Sequence, residues 1–197
     1  MTTDRNICVY CASSQACDSS YHDDARRLGM ILCEHGYSIV YGGGAVGSMG
    51  ALAEGALSAG GKVVGVMPEF MKDLEWAHAQ LTELRIVEDM RVRKHMMLSE
   101  SHGLVALPGG SGTLEELFEA ITLKRLGIYT YPIILVNTKR FFNPLLNFIE
   151  HSISERFMDD RHLRMWSVVS TPEEVPGALS TAAEWSADAL SFATVMK

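Results

Sequence analysis

The chain has 197 residues, 47% hydrophobic and 21% charged, with a formal net charge of -7. Those values suit one globular α/β domain with a sizeable core, and the acidic balance argues against a nucleic-acid polymer as partner, since such binders gather Lys and Arg against many phosphates. Residues 1–5 put no apolar stretch behind a basic start, and no run of 18 apolar residues occurs, so a soluble, cytoplasmic protein without a membrane span is expected.

Taken in chain order, Asn6 to Ala12 reads as a strand. Ser19 to His35 reads as a helix, with Tyr21, Ala25, Leu28 and Leu32 on one face and Gly36 at its end. Tyr37 to Tyr41 is a strand, followed by a glycine-rich loop, Gly42 to Gly50, and a helix to Ala59 that Gly60 and Gly61 stop. Lys62 to Met67 is the next strand. Pro68 to Leu81 is irregular, and its Trp76 and His78 either cover a ligand or belong to a plain surface loop. Thr82 to Val87 gives a short strand and Asp89 to Ser101 a helix. Gly103 to Leu107 reads as a buried strand, Thr113 to Leu126 as a helix with apolar Leu114, Leu117, Phe118 and Ile121, and Pro132 to Asn137 as a strand. Asn143 to Phe157 is helical and Arg164 to Val169 extended. Thr171-Pro172-Glu173-Glu174 caps a last helix, and the residues from about Ala187 form an extra helix or a tail.

Apolar strands alternating with helices predict a Rossmann-like, doubly wound parallel sheet in a single domain, residues 1–197, with helices on both faces. Ligands in such sheets bind beyond the carboxyl ends of the strands, where both glycine loops fall. Cys8 and Cys11 have half of a metal-knuckle spacing but no partner pair. On a strand, an odd spacing also points their thiols to opposite faces, so no metal is expected. The four cysteines read as reduced.

The first loop, Gly42-x-Gly44-x-x-Gly47, satisfies the dinucleotide fingerprint, and Glu69 follows the next strand where a ribose-binding acid is found in such folds. The alternative is that its glycines only allow tight helix–sheet packing. The second loop, Pro108-Gly109-Gly110-Ser111-Gly112-Thr113, joins a strand end to a helix start. Its glycines let backbone N–H groups converge where the helix dipole adds positive potential, which makes an anion cradle. No Lys follows the last glycine, so it is not a Walker A loop. Thr113-x-x-Glu116 also has the spacing of a capping box, which would make Glu116 a structural residue.

A basic cluster follows Asp89, an expected N-cap. Arg91, Arg93 and Lys94 then occupy the first turn and a half of a helix, where the dipole disfavours cations by typically 0.3 to 1 kcal/mol each. Glu88 and Asp89 can offset Arg91 and Lys94; for Arg93, a ligand phosphate or a buried carboxylate explains the cost better.

Gly42-Gly43-Gly44 with Gly47, Met49 and Gly50, then Met90-Arg91-Val92-Arg93-Lys94, then Pro108 to Glu116 together resemble the LONELY GUY (LOG) family, the cytokinin riboside 5'-monophosphate phosphoribohydrolases, over about Ile7 to Val169. The resemblance implies a Rossmann-like homodimer with active sites near the subunit interface. It also implies hydrolysis of AMP-type nucleoside 5'-monophosphates, N6-prenylated cytokinin forms among them, to free base and ribose 5-phosphate, with neither cofactor nor metal. By position it implies Arg93 and Glu116 as the catalytic pair. Gly109, Gly110, Ser111, Gly112 and Thr113 become the phosphate loop, with Ser13, Ser14, Gly43, Met90 and Lys94 near the nucleotide. Arg91, Leu123, Arg125 and Tyr129 depart from the family's usual residues, which leaves the base preference open.

The chemistry fits those residues. Breaking an N-glycosidic bond builds an oxocarbenium-like ribose, which a nearby carboxylate stabilises while it orients water or the ribose hydroxyls, and a gripped phosphate supplies binding energy away from the scissile bond. Three other readings stand beside this one. An NAD-dependent oxidoreductase follows from the first loop, and a non-catalytic carrier of a phosphorylated cofactor follows from relatives resembling molybdenum-cofactor carriers. Members have also been labelled lysine decarboxylases, although nothing in the sequence argues for a pyridoxal phosphate lysine.

Overall fold

The structure is a computed structural model describing residues 5–72 and 77–193. Seven strands form one parallel sheet: β1 (Arg5–Tyr10), β2 (Tyr37–Tyr41), β3 (Val63–Pro68), β4 (Glu83–Val87), β5 (Leu104–Ala106), β6 (Ile133–Val136) and β7 (Ser167–Val169). Their spatial order is β4-β3-β2-β1-β5-β6-β7. The chain winds outward from β1 to one edge, then returns to lay β5 against the other side of β1. The point of reversal therefore lies between β1 and β5, where the loops diverge and leave a crevice beyond the strand ends.

Burial on both faces explains the uninterrupted apolar strands. Ile7, Val9, Ile39, Tyr41, Val105, Leu107, Ile134 and Val136 enter the core layer beneath α1 (Ser19–Glu34), α2 (Gly47–Ser58) and α6 (Val175–Thr181). The alternating residues Cys8, Tyr10, Val40, Leu104, Ala106, Ile133 and Leu135 enter the layer beneath α3 (Met90–Ser99), α4 (Ser111–Arg125) and α5 (Asn143–Ser154). The same period-two rule sends Cys8 and Cys11 to different layers, as expected of their odd spacing. In α1, Leu28 and Leu32 are fully buried, each contributing about 1.5–3 kcal/mol. The two helices on that face approach very closely. A Cβ at Gly29 would lie 2.2 Å from the Leu52 carbonyl oxygen, and one at Gly55 would lie 2.0 Å from that of Arg26.

Several boundaries differ from those expected. The stretch before β7 is not extended from Arg164: Asp159 accepts from the Arg161 amide and drives a 3-10 turn over Asp160–Met165. Helix α5 stops at Ser154, where Arg156 turns to a φ of 65° and leaves Phe157 exposed. Phe118, expected in the core, is 39% exposed, because its neighbours Leu117 and Ile121 already fill the face toward the sheet. The residues from Ala187 form a 3-10 turn, Ala187–Phe192, tied back onto the domain. The Trp185 indole N–H donates to the Lys124 carbonyl at 2.6 Å, and the Arg161 guanidinium lies 4.0 Å from the Phe192 ring centre.

Candidate active site

At the reversal of strand order, the loops after β1 and β5 and the starts of α3 and α4 enclose a cleft of about 290 Å³. It is lined by Cys11, Ala12, Ser13, Ser14, Met49, Met71, Met90, Arg93, Gly110 to Thr113, and Glu116. Residues read from separate motifs thus meet in one concavity.

The α4 wall is built as follows. Gly110 is the N-cap, with extended backbone, and no side chain caps the helix. The first-turn amides therefore have no side-chain acceptor beside the cleft. Basic Lys124 and Arg125 sit at the opposite end, as the dipole favours. The helix begins at Ser111, two residues earlier than its apolar pattern suggested, so Thr113 and Glu116 form no capping box. Thr113 folds back on the loop instead, so tightly that a Cβ at Gly109 would lie 2.2 Å from its Oγ1. Glu116 is only 8% exposed. Its carboxylate is felt by its neighbours: burial, then the Glu116 charge, pushes the Cys8 thiol far up, and burial leads the same rise at Tyr10, to which Glu116 also contributes.

The α3 wall holds the basic cluster. Asp89 caps the helix, accepting from the Val92 amide at 2.8 Å. Arg91 projects to solvent, with Asp89 at 3.8 Å. Arg93 is 2% exposed and anchored: Nε donates to the Val66 carbonyl and Nη2 to the Gly42 carbonyl, both at 3.1 Å, while Nη1 faces the sulfurs of Met71 and Met90. Gly42 is required here, because a Cβ would lie 2.1 Å from Nη2. Lys94 turns away from the cleft to pair with Glu115 and, at 2.7 Å, with Glu119. Burial lowers the Lys94 ammonium, but the two carboxylates of α4 outweigh it and the net direction is up.

Two of the fingerprint glycines in the first loop, Gly42 and Gly47, have structural reasons. The loop follows β2, one strand away from the reversal. Gly42 clears Arg93, and Gly47, at a φ of 61°, lets the Ser13–Ser14 backbone approach to within about 2.5 Å of where a Cβ would stand. Gly44 forms an isolated bridge with Ala77, and the Gly43 carbonyl accepts from the His78 amide at 3.0 Å. Gly43 faces β3 and β4 rather than the cleft, and Glu69 is exposed in a 3-10 turn, Glu69–Met71.

Of the residues singled out in the sequence, the structure gathers Arg93, Glu116, Ser13, Ser14, Met90, Gly110, Ser111, Gly112 and Thr113 around the cleft. Gly43, Gly109 and Lys94 stand behind it. Met49, named in the first motif without a role, and Met71, which the sequence reading missed, supply an apolar wall. The Pro68 to Leu81 segment does reach the cleft, through Met71; the His78 amide binds the glycine loop while its ring Nδ1 accepts from the Gln80 amide, and Trp76 lies outside the described residues. Among the described residues, no group of three or more His, Cys, Asp or Glu could hold a metal ion, and no helix is long and apolar enough to cross a membrane.

A parallel, doubly wound sheet with a cleft at its reversal makes this a Rossmann-like α/β protein. The fold is similar to that of the molybdenum cofactor carrier protein from Chlamydomonas reinhardtii, with a TM-score of 0.70 over 91% of this chain and 98% of that one; at 20% identity the likeness is one of fold alone. The family model described as possible lysine decarboxylase matches residues 49–179. The chain is 40% identical over 168 residues to the cytokinin riboside 5'-monophosphate phosphoribohydrolase LOG of Oryza sativa subsp. japonica, spanning 85% of this chain and 69% of that protein. It is 41% identical over 157 residues to the cytokinin riboside 5'-monophosphate phosphoribohydrolase of Rhodococcoides fascians, spanning 79% of each. The chain belongs to the LOG family.

Proposed function

We propose that the protein hydrolyses the N-glycosidic bond of AMP-type nucleoside 5'-monophosphates, N6-prenylated forms included, releasing the base and ribose 5-phosphate. The observation that carries this reading is the meeting of an uncapped helix start and a nearly buried carboxylate, Glu116, in one cleft. The amides of Ser111, Gly112 and Thr113 receive the phosphate, with the dipole of α4 behind them. Glu116 stands one turn further along the same helix, so a gripped 5'-phosphate brings the ribose to its carboxylate. There it stabilises the oxocarbenium-like centre and orients the attacking water or the ribose hydroxyls. Arg93, held by two backbone carbonyls, presents fixed positive charge, and Met49, Met71 and Met90 offer the base an adaptable apolar wall.

Names of relatives at about 40% identity support this reading. The likeness to carrier proteins, at 20% identity, gives a cofactor-carrier role no comparable support. We place the protein in the cytoplasm, a setting that suits four free cysteines, and take it to act on small molecules rather than a nucleic-acid polymer. A panel of nucleoside monophosphates, with liberated base followed by chromatography, tests the activity. Glu116→Gln is expected to lower turnover about 100-fold or more while nucleotide still binds by calorimetry. Near wild-type turnover in that variant refutes the assignment.

A further inference from the structure

Arg93 and Glu116 stand on different helices, and the residue next to each of them ties those helices together. Lys94, one step past Arg93 on α3, pairs with Glu115, one step before Glu116 on α4, and at 2.7 Å with Glu119. Successive helical residues point about 100° apart, so Arg93 can face the cleft while Lys94 faces α4. Glu115 and Glu119 lie one turn apart on one side of α4. Lys94 therefore grips α4 at two successive turns, which fixes the rotation of that helix as well as its distance. The bridge stands between two hollows. On one side is the cleft, lined by Arg93 and Glu116 but not by Lys94; on the other is a groove of about 430 Å³ lined by Lys94, Glu119, Leu98 and Leu123. Close packing does not set the spacing of α3 and α4 where they face each other across such hollows. The ammonium is also no loose surface charge: the Lys94 side chain is 15% exposed, and its two carboxylates outweigh the effect of burial and keep it charged.

We infer that Lys94 is a positioning residue whose bridge to Glu115 and Glu119 sets the separation of Arg93 and Glu116 across the cleft. It touches neither the nucleotide nor the reacting atoms. The amides that receive the phosphate, Ser111 to Thr113, belong to α4 together with Glu116. Loosening the bridge thus leaves the phosphate grip and the carboxylate in register with each other and lets Arg93 drift from the sugar, a loss felt in turnover rather than in binding. This role rests on the proposed function, and it differs from the nucleotide contact that the family resemblance implies for Lys94.

Steady-state base release from AMP by the full chain, with melting temperatures as a check on folding, tests the assignment. Lys94→Met keeps the stem and drops the charge; it is expected to lower kcat about tenfold with KM within about twofold of wild type. Lys94→Arg can still bridge both carboxylates and should keep kcat within about threefold. A Glu115→Gln/Glu119→Gln variant should show the same tenfold loss, and adding Lys94→Met to it should cost nothing further, because the three side chains act as one unit. An unchanged kcat in Lys94→Met overturns the inference. So does a KM that rises several-fold there, or a loss that multiplies in the triple variant, since either outcome means that the ammonium meets the nucleotide directly. Should Lys94→Met fail to fold, the Glu115→Gln/Glu119→Gln variant decides alone: kcat falls at constant KM, or the clasp is refuted. A wild-type protein that releases no base refutes the proposed function instead, before any variant is compared.

Discussion

Arg93 and Gly42 are best understood as one unit. A guanidinium buried near the positive end of a helix is costly, and its two backbone carbonyl partners offset that cost only because position 42 has no side chain. Gly42→Ala should push Nη2 off the Gly42 carbonyl, lowering stability by about 1–3 kcal/mol and turnover by tenfold or more. Calorimetric unfolding with steady-state rates checks both, and an alanine variant with normal turnover would detach Arg93 from the chemistry. At the far end of α4, Lys124 is buried with Nζ donating to the Thr130 and Tyr131 carbonyls, and burial pushes its ammonium down to about 8. The unfolded chain holds that proton up to about 10.4, so between these values the unfolded state binds more protons and the contribution of Lys124 to stability rises with pH. Cys8, Tyr10 and Tyr129, all pushed up by burial, act in the opposite sense at alkaline pH, so the effect must be read as a difference. The urea midpoint of wild type relative to Lys124→Met should improve from pH 7.5 to 9.5. A pH-independent difference contradicts the assignment.

Among the elements, the start of α4 carries the site, and a built-in cap should compete with a ligand there. A Cβ at Gly110 meets no atom within 4 Å, so Gly110→Asp fits sterically and supplies the missing N-cap carboxylate. The variant should melt no lower than wild type yet show a KM for AMP at least tenfold higher, because its carboxylate occupies the amides and repels the phosphate. An unchanged KM would move the phosphate elsewhere. How much of this was legible in the sequence depends on range. The strands and the Asp89 cap are local signals, and they read correctly; Arg93, for which a phosphate or a buried carboxylate was expected, donates to the Val66 and Gly42 carbonyls. The start of α4 did not read correctly, because Thr113-x-x-Glu116 imitates a capping box and only the packing of Thr113 on Gly109 reveals its other use. The resemblance puts Lys94 near the nucleotide and its local charge pattern pairs it with Glu88 and Asp89, but its partners, Glu115 and Glu119, come from a helix over twenty residues away. Met71 reaches the cleft from an irregular connection, for which no periodicity exists to be read.

At the scale of the whole molecule, the surface bears on assembly. Alongside the cleft, α3 and α4 leave a second groove of about 430 Å³ over the sheet, lined by Tyr10, Val92, Leu98, Leu123, Ile128 and Tyr129, with Ile128 70% exposed. We propose that a second copy of the chain covers it about a two-fold axis, since α3 and α4 line both this groove and the cleft. Light scattering should report twice the monomer mass for wild type and a monomer for Ile128→Lys. A monomeric wild-type protein refutes the pairing.

The long connection between β3 and β4 differs in kind from the other walls of the cleft. Serine, glycine and arginine walls hang on strand ends and helix starts whose shifts would disturb the sheet, whereas Met71 belongs to an irregular connection whose described residues are held at Gly43 and Gly44 and, through Leu81, at the core. Changes of length there would alter the room beside Met71 while leaving the amides of Ser111 to Thr113 in place. On the proposed function, a change of length in that one stretch would retune the cleft for bulkier or slimmer purines.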